Sequence, residues 1–149
     1  MPPLIGIDRG IDGKMLKALE ETGHGDQIVV VDASYSIPRG AQVVDYHGDS
    51  SPRALNGILD LVPVEETENA KIMSSDDGAP GSLVLPEFES AFQDHGVPSE
   101  HRFRNTDRLG TAFYDLANTS LEDHPTLFVR TRDDRAYACA MFVVGHSQK

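Results

Sequence analysis

Ile28-Val29-Val30-Val31 is the stretch on which the fold turns. Four successive β-branched residues favour an extended chain, and with both faces apolar the strand they form needs cover above and below. On its N-terminal side, the segment from Ile11 to Glu21 puts Ile11, Met15, Leu16 and Leu19 on one helical face. Asp12 is placed to cap that helix, and Gly23 to end it in the left-handed conformation. On its C-terminal side, Gln42-Val43-Val44 reads as a second strand. Ser50-Ser51-Pro52 opens a helix through Leu55, Ile58 and Leu59, with Ser at the cap and Pro in the first turn. Further on, Lys71-Ile72-Met73 predicts a strand and the polar, Gly-rich 74–81 stretch a loop. A helix from Glu87 to Phe92 is introduced by Pro86 and ends near Gly96. His101-Arg102-Phe103-Arg104 predicts a strand, the segment from Ala112 to Ala117 a helix. Thr126–Arg130 and Ala140–Val144 predict two strands flanking the charged turn Arg132-Asp133-Asp134-Arg135. Helices and strands alternate with no break in composition, which predicts a single α/β domain over residues 1–149.

The chain of 149 residues carries 13 Lys+Arg against 24 Asp+Glu, a formal net charge of −11. Nucleic acid and anionic membrane are polyanions that need a basic stripe, and the densest basic stretch here is the four residues His101–Arg104, followed by Asp107. Neither is expected as a partner. The single cysteine, Cys139, excludes an intramolecular disulfide and a multi-cysteine metal site, and fits a reducing compartment. No apolar run reaches the roughly 18 residues of a membrane span. Met1-Pro2-Pro3-Leu4-Ile5 lacks a basic signal-peptide n-region, so a cytoplasmic location is expected.

Gly23-His24-Gly25-Asp26 lies between the first helix and the apolar strand. Flanking glycines leave an imidazole open to close approach, and a loop histidine near carboxylates (Asp26, and Asp32 beyond the strand) is suited to proton transfer near neutral pH. The same four residues also make an ordinary helix end and turn, and residue types alone do not separate the two readings. A metal site has less behind it: His24, Asp26 and Asp32 are ligand types, but there is no HExxH or paired-histidine spacing. His47 has a similar loop setting and reads as a solvated histidine; His95, His101, His124 and His146 receive no role. There is no GxSxG for nucleophilic catalysis, and Cys139 sits in an apolar stretch where a thiol is usually structural. The absence of GxGxxG and Walker sequences argues against a nucleotide cofactor.

The run from Met15 to Ala33, with Gly23-His24-Gly25-Asp26, then Ile28–Val31, then Asp32-Ala33, resembles the opening of the RbsD/FucU family of D-ribose pyranases and L-fucose mutarotases. Other pieces keep the family's order. They are Pro38 before Gln42-Val43-Val44, Ser50-Ser51 opening a helix, Asp107-Arg108 before Phe113-Tyr114, and Ala136-Tyr137 before an apolar strand. Ser34-Tyr35 after Asp32-Ala33 is nearer the fucose branch.

The resemblance implies an α/β domain with a mixed β-sheet packed between helices, assembled into a ring, a pentamer or a decamer of stacked pentamers, with its site at a subunit boundary. It implies an isomerase that needs no cofactor or metal and interconverts anomers, or pyranose and furanose forms, of a free monosaccharide, most nearly L-fucose. Alternatives within the resemblance are a D-ribose pyranase and a non-catalytic sugar-binding or regulatory member. Carried over by position, His24 is the catalytic residue; Asp26, two residues on, is expected to orient its ring. The resemblance places Asp32, Arg108, Tyr137, Ala138 and Cys139 on the sugar, and as a separate expectation Tyr35 or Tyr114 gives its apolar face an aromatic wall. Cys139 stands where the family has Asn, and a thiol lacks the donors and acceptor of an amide.

Overall fold

The computed structural model describes residues 6–76, 85–119 and 125–146. The apolar run forms β1 (Gln27–Val31), which lies inside a six-stranded sheet. It pairs in parallel with β5 (Thr126–Arg130) on one side and antiparallel with β6 (Ala140–Val143) on the other. With β2 (Gln42–Asp45), β3 (Ala70–Ser74) and β4 (Ser99–Phe103), the order is β2-β5-β1-β6-β3-β4. Every pairing is parallel except the two that β6 makes. All strands but β6 therefore point one way, and the start of β6 shares an edge with the ends of the other five.

The alternation of β1 explains its composition. Ile28 and Val30 face one apolar layer, Val29 and Val31 the other, and all four are fully buried. The first layer is built by α1 (Gly13–Glu20), α2 (Ser51–Leu59) and α3 (Leu85–Asp94), through Met15 and Leu19, Leu55 and Ile58, and Phe88 and Phe92. The second is covered by the short α4 (Phe113–Asn118), which contributes Phe113 and Ala117, and by Tyr35, Ile37 and Ala41 from the β1–β2 connection. Each buried aliphatic or aromatic side chain of this size contributes about 1.5–3 kcal/mol relative to exposure. The mixed sheet between helices is the fold class expected from the sequence.

The cap signals act as read. Asp12 accepts the Met15 N–H (2.9 Å) and Ser50 Oγ accepts the Arg53 N–H (3.3 Å), with Pro52 in the first turn of α2. Gly96 follows α3 at φ +70°. One local reading is corrected. Helix α1 ends at Glu21 in right-handed geometry, and the positive φ of the next turn (+95°) falls on Gly25 rather than Gly23. The charged turn after β5 is held from inside the fold. Asp133 is 3% exposed and accepts the Ser51 N–H (3.0 Å) and hydroxyl (3.1 Å) at the start of α2, as well as the Arg135 guanidinium (2.8 and 3.0 Å). Burial opposes the charge on this carboxylate, but the bonds from Arg135 and from two backbone N–H groups outweigh it and bring its pKa down to about 2. The 74–81 loop lies largely outside the described residues.

Candidate active site

Two polar clusters occupy opposite edges of the sheet. The first gathers around His24, in the turn that leads into β1. Three chain segments meet there through backbone hydrogen bonds. The Gly25 N–H donates to the Val144 carbonyl (2.8 Å) and the Val144 N–H to the Asp26 carbonyl (2.8 Å). The Glu65 N–H donates to the Val143 carbonyl (2.8 Å) and the Gly145 N–H to the Pro63 carbonyl (2.9 Å). Gly145 is required by this approach: a Cβ there would lie 2.6 Å from the Val64 carbonyl oxygen and 2.9 Å from the Glu65 nitrogen. The stitching brings the side chains of His24, Glu65 and His146 together. His24 Nε2 bonds Glu65 Oε2, and the His146 ring lies against the His24 ring with centroids 3.6 Å apart, tilted by 33°. His24 remains 42% exposed, beside an open hollow of about 380 Å³ lined also by Leu19, Thr22, Leu61 and Pro63. The hydrogen bond from His24, then that from the Thr67 N–H, hold the Glu65 carboxyl below its usual range.

The carboxylate on the His24 ring is therefore that of Glu65, where the sequence reading placed Asp26. Asp26 Oδ2 accepts the Gly23 N–H (2.9 Å) within its own turn.

The second cluster lies at the other end of β1, where the parallel strands end and β6 begins. Asp32 is 6% exposed. Its Oδ1 accepts both the N–H and the hydroxyl of Ser34 (3.0 Å each), and its Oδ2 accepts the Cys139 thiol (3.4 Å), while its own N–H points at Cys139 Sγ (3.4 Å). Cys139 is fully buried; burial, then the Asp32 charge, push its thiol pKa well above the ordinary range. It supports Asp32 from inside the protein, and Ala138 beside it is buried too. Tyr137 is half-buried and, among the described residues, the one non-glycine with positive φ (+63°), a conformation that takes it out of the strand path just before β6.

Arg104, just past β4, is the cation among these rings: its guanidinium carbon is 5.2 Å from the Tyr137 ring centre and 5.9 Å from that of Tyr114. Its Nε lies 3.8 Å from Asp76, whose carboxylate also takes two bonds from Asn105 (2.6 and 2.9 Å). Arg108 is exposed. It donates to the Asp76 carbonyl (2.6 Å) and covers the Phe103 ring at 4.7 Å. Tyr35 is buried and its hydroxyl donates to Asn118 (2.8 Å), so Tyr114, 4.9 Å away, is the more accessible of the two rings.

Of the residues singled out in the sequence, the structure brings Asp32, Tyr137, Ala138 and Cys139 to one edge, with Arg108 on the rim, and leaves His24 and Asp26 at the other. Five strand residues span roughly 13 Å between first and last Cα, and both His24 and Asp32 lie beyond the ends of that span. Glu65, His146, Arg104 and Asp76 are additional members that the sequence reading missed. No group of three or more His, Cys, Asp or Glu arranged to hold a metal ion occurs among the described residues, and no helix there is long and apolar enough to cross a membrane.

A mixed sheet of this order, with one polar cluster at each end of a buried strand, defines an α/β protein of a specific architecture. The chain belongs to the RbsD / FucU transport protein family, whose model matches residues 5–147. Solved structures that share its fold include the following three. The Streptococcus pneumoniae fucose mutarotase in complex with L-fucose is 24% identical, with a TM-score of 0.78 over 97% of this chain and 99% of that one. FucU from Bifidobacterium longum is 23% identical, with a TM-score of 0.77 over 95% and 99%. Bacillus subtilis RbsD complexed with D-ribose is 18% identical, with a TM-score of 0.66 over 94% and 98%. No curated protein sequence matches the chain.

Proposed function

We propose that the protein is a monosaccharide mutarotase, an isomerase that opens and recloses the ring of a free sugar, L-fucose or a sugar of similar shape, by proton transfer through His24 and without a cofactor. The observation that carries this reading is the setting of His24: an accessible imidazole, anchored by a carboxylate on one nitrogen, beside an open hollow. Family membership and the sugars held by the solved relatives support it.

In ring opening, protonated His24 donates to the ring oxygen as the bond from that oxygen to the anomeric carbon breaks and its electron pair moves to oxygen. The anomeric hydroxyl loses its proton to water and becomes the aldehyde carbonyl. After rotation about the next carbon–carbon bond, the same steps in reverse close the other anomer and return the proton to His24. The uncatalysed reaction is already accessible in water, so one general acid–base group contributing about 10²–10⁴-fold suffices. Asp32 accepts sugar hydroxyls, Arg104 or Arg108 donates to hydroxyl oxygens, and Tyr114 and Tyr137 offer apolar walls. Cys139 serves by holding Asp32.

A single sugar cannot bridge the length of β1. His24 of one copy and Asp32 of another therefore meet at the boundary between neighbours in a ring, which makes self-association part of the activity. Saturation-transfer NMR on L-fucose and D-ribose tests the reading: wild-type protein accelerates anomer exchange on one of them, and His24→Ala lowers the rate by about 10²–10⁴-fold. Equal rates for the two proteins would refute it. Binding without turnover is the second reading, favoured by a thiol at Cys139 where the resemblance implies an amide, and calorimetric heat with no accelerated exchange would select it.

A further inference from the structure

We propose that Glu65 is the positioning residue for His24, holding the imidazole as its Nε2–H tautomer so that Nδ1 is the nitrogen that exchanges a proton with the substrate. The assignment rests on the mutarotase reading above. A neutral imidazole carries one proton, and the partner of one nitrogen decides what is left for the other. An ionised carboxylate only accepts, so the nitrogen facing Glu65 carries hydrogen and Nδ1 carries the lone pair.

The geometry around the pair is built to keep it. The Glu65 backbone is tied to Val143, the missing side chain of Gly145 lets the 63–65 segment approach, and a second bond to Glu65, from the Thr67 N–H to Oε1 (3.4 Å), leaves Oε2 for the ring. His146 covers one face of the imidazole and restricts its rotation. The other charged groups nearby are Asp26, bonded to the Gly23 N–H, and Glu20 of α1, on the rim of the same hollow. When His24 takes a proton from the substrate at Nδ1, the carboxylate on Nε2 keeps the ring in place and does not itself accept the proton. Glu65 acts through His24 and does not touch the sugar.

The tautomer is read on sugar-free, ¹⁵N-labelled protein by long-range ¹H–¹⁵N correlation. Wild type shows hydrogen on Nε2. Glu65→Gln, whose amide oxygen still accepts, keeps that tautomer, and Glu65→Ala populates both. In the anomer-exchange assay Glu65→Ala lowers kcat about ten- to a hundredfold with KM within about twofold, the scale found for carboxylates that orient metal-bound histidines, and Glu65→Gln recovers part of the loss. An Nδ1–H tautomer in wild type, or a Glu65→Ala variant with unchanged tautomer and kcat, overturns the proposal. Because the tautomer is measured without sugar, a wild-type protein that accelerates no exchange refutes the mutarotase reading alone, and the spectra still decide what Glu65 does.

Discussion

Co-assembly of two inactive variants distinguishes a site shared between copies from one held within a chain. His24→Ala removes the proposed proton donor and Asp32→Asn the carboxylate beyond the other end of β1, so under the proposed function each alone is expected to be inactive. The two residues lie beyond opposite ends of β1, separated by roughly 13 Å of strand and more, and a shared site takes one from each of two neighbours. When the variants are co-expressed in equal amounts, about half of the positions supplying His24 and half of those supplying Asp32 are intact. In a closed assembly with one repeating interface, about one quarter of the sites then have both. Saturation-transfer rates per site should therefore recover to about one quarter of wild type, from a baseline about 10²–10⁴-fold lower. Native mass spectrometry of the same sample establishes that mixed assemblies formed. Mixed assemblies with no recovered activity would refute the division of the site between copies.

Two further outcomes follow from the same geometry. Asp133→Asn is expected to lower stability by about 2 kcal/mol at pH 7, the equivalent of moving its carboxyl from 3.8 to about 2 in a buried setting. Because the folded-state pKa is the lower one, that contribution is complete above about pH 4 and fades as pH falls through about 2. Urea melts of wild type and variant should therefore converge on acidification, and a gap that widens toward low pH would contradict the assignment. Gly145→Ala forces a methyl group against the Val64 carbonyl and the Glu65 nitrogen. Overpacking of this kind costs about 1–3 kcal/mol, and the variant should also lose anomer exchange while still binding sugar calorimetrically; full activity with an unchanged melt would show that the close approach is dispensable.

The parts of the fold that were legible in the sequence are those whose causes are local. A run of β-branched residues has no polar face to give to solvent, so Ile28–Val31 announces a central strand by itself. Asp12 and Ser50 cap through neighbours three residues away. Glu65 has no such signal. It meets His24 across 41 residues, only because β6 lies between the β1 turn and the segment before β3. Asp26, two residues from His24, was the nearer carboxylate in the chain but is occupied within its own turn. Arg104 and Arg108 are equivalent by composition. Only the end of β4 determines that the first lies among the tyrosines and the second on the rim. Asp133 has no local signal either: the helix start whose Ser51 N–H donates to it lies 82 residues away in the chain.

Strand β6 runs the full distance between the two clusters, with Cys139 entering it and Gly145-His146 leaving it. It works as a spacer of fixed length, since a paired strand neither stretches nor slips without turning its side chains over. Within one chain, a substitution at one end should therefore leave the packing at the far end in place. Under the proposed function, the surroundings of Asp32 and Tyr137 can thus be varied while the turn that holds His24 in the same chain keeps its shape.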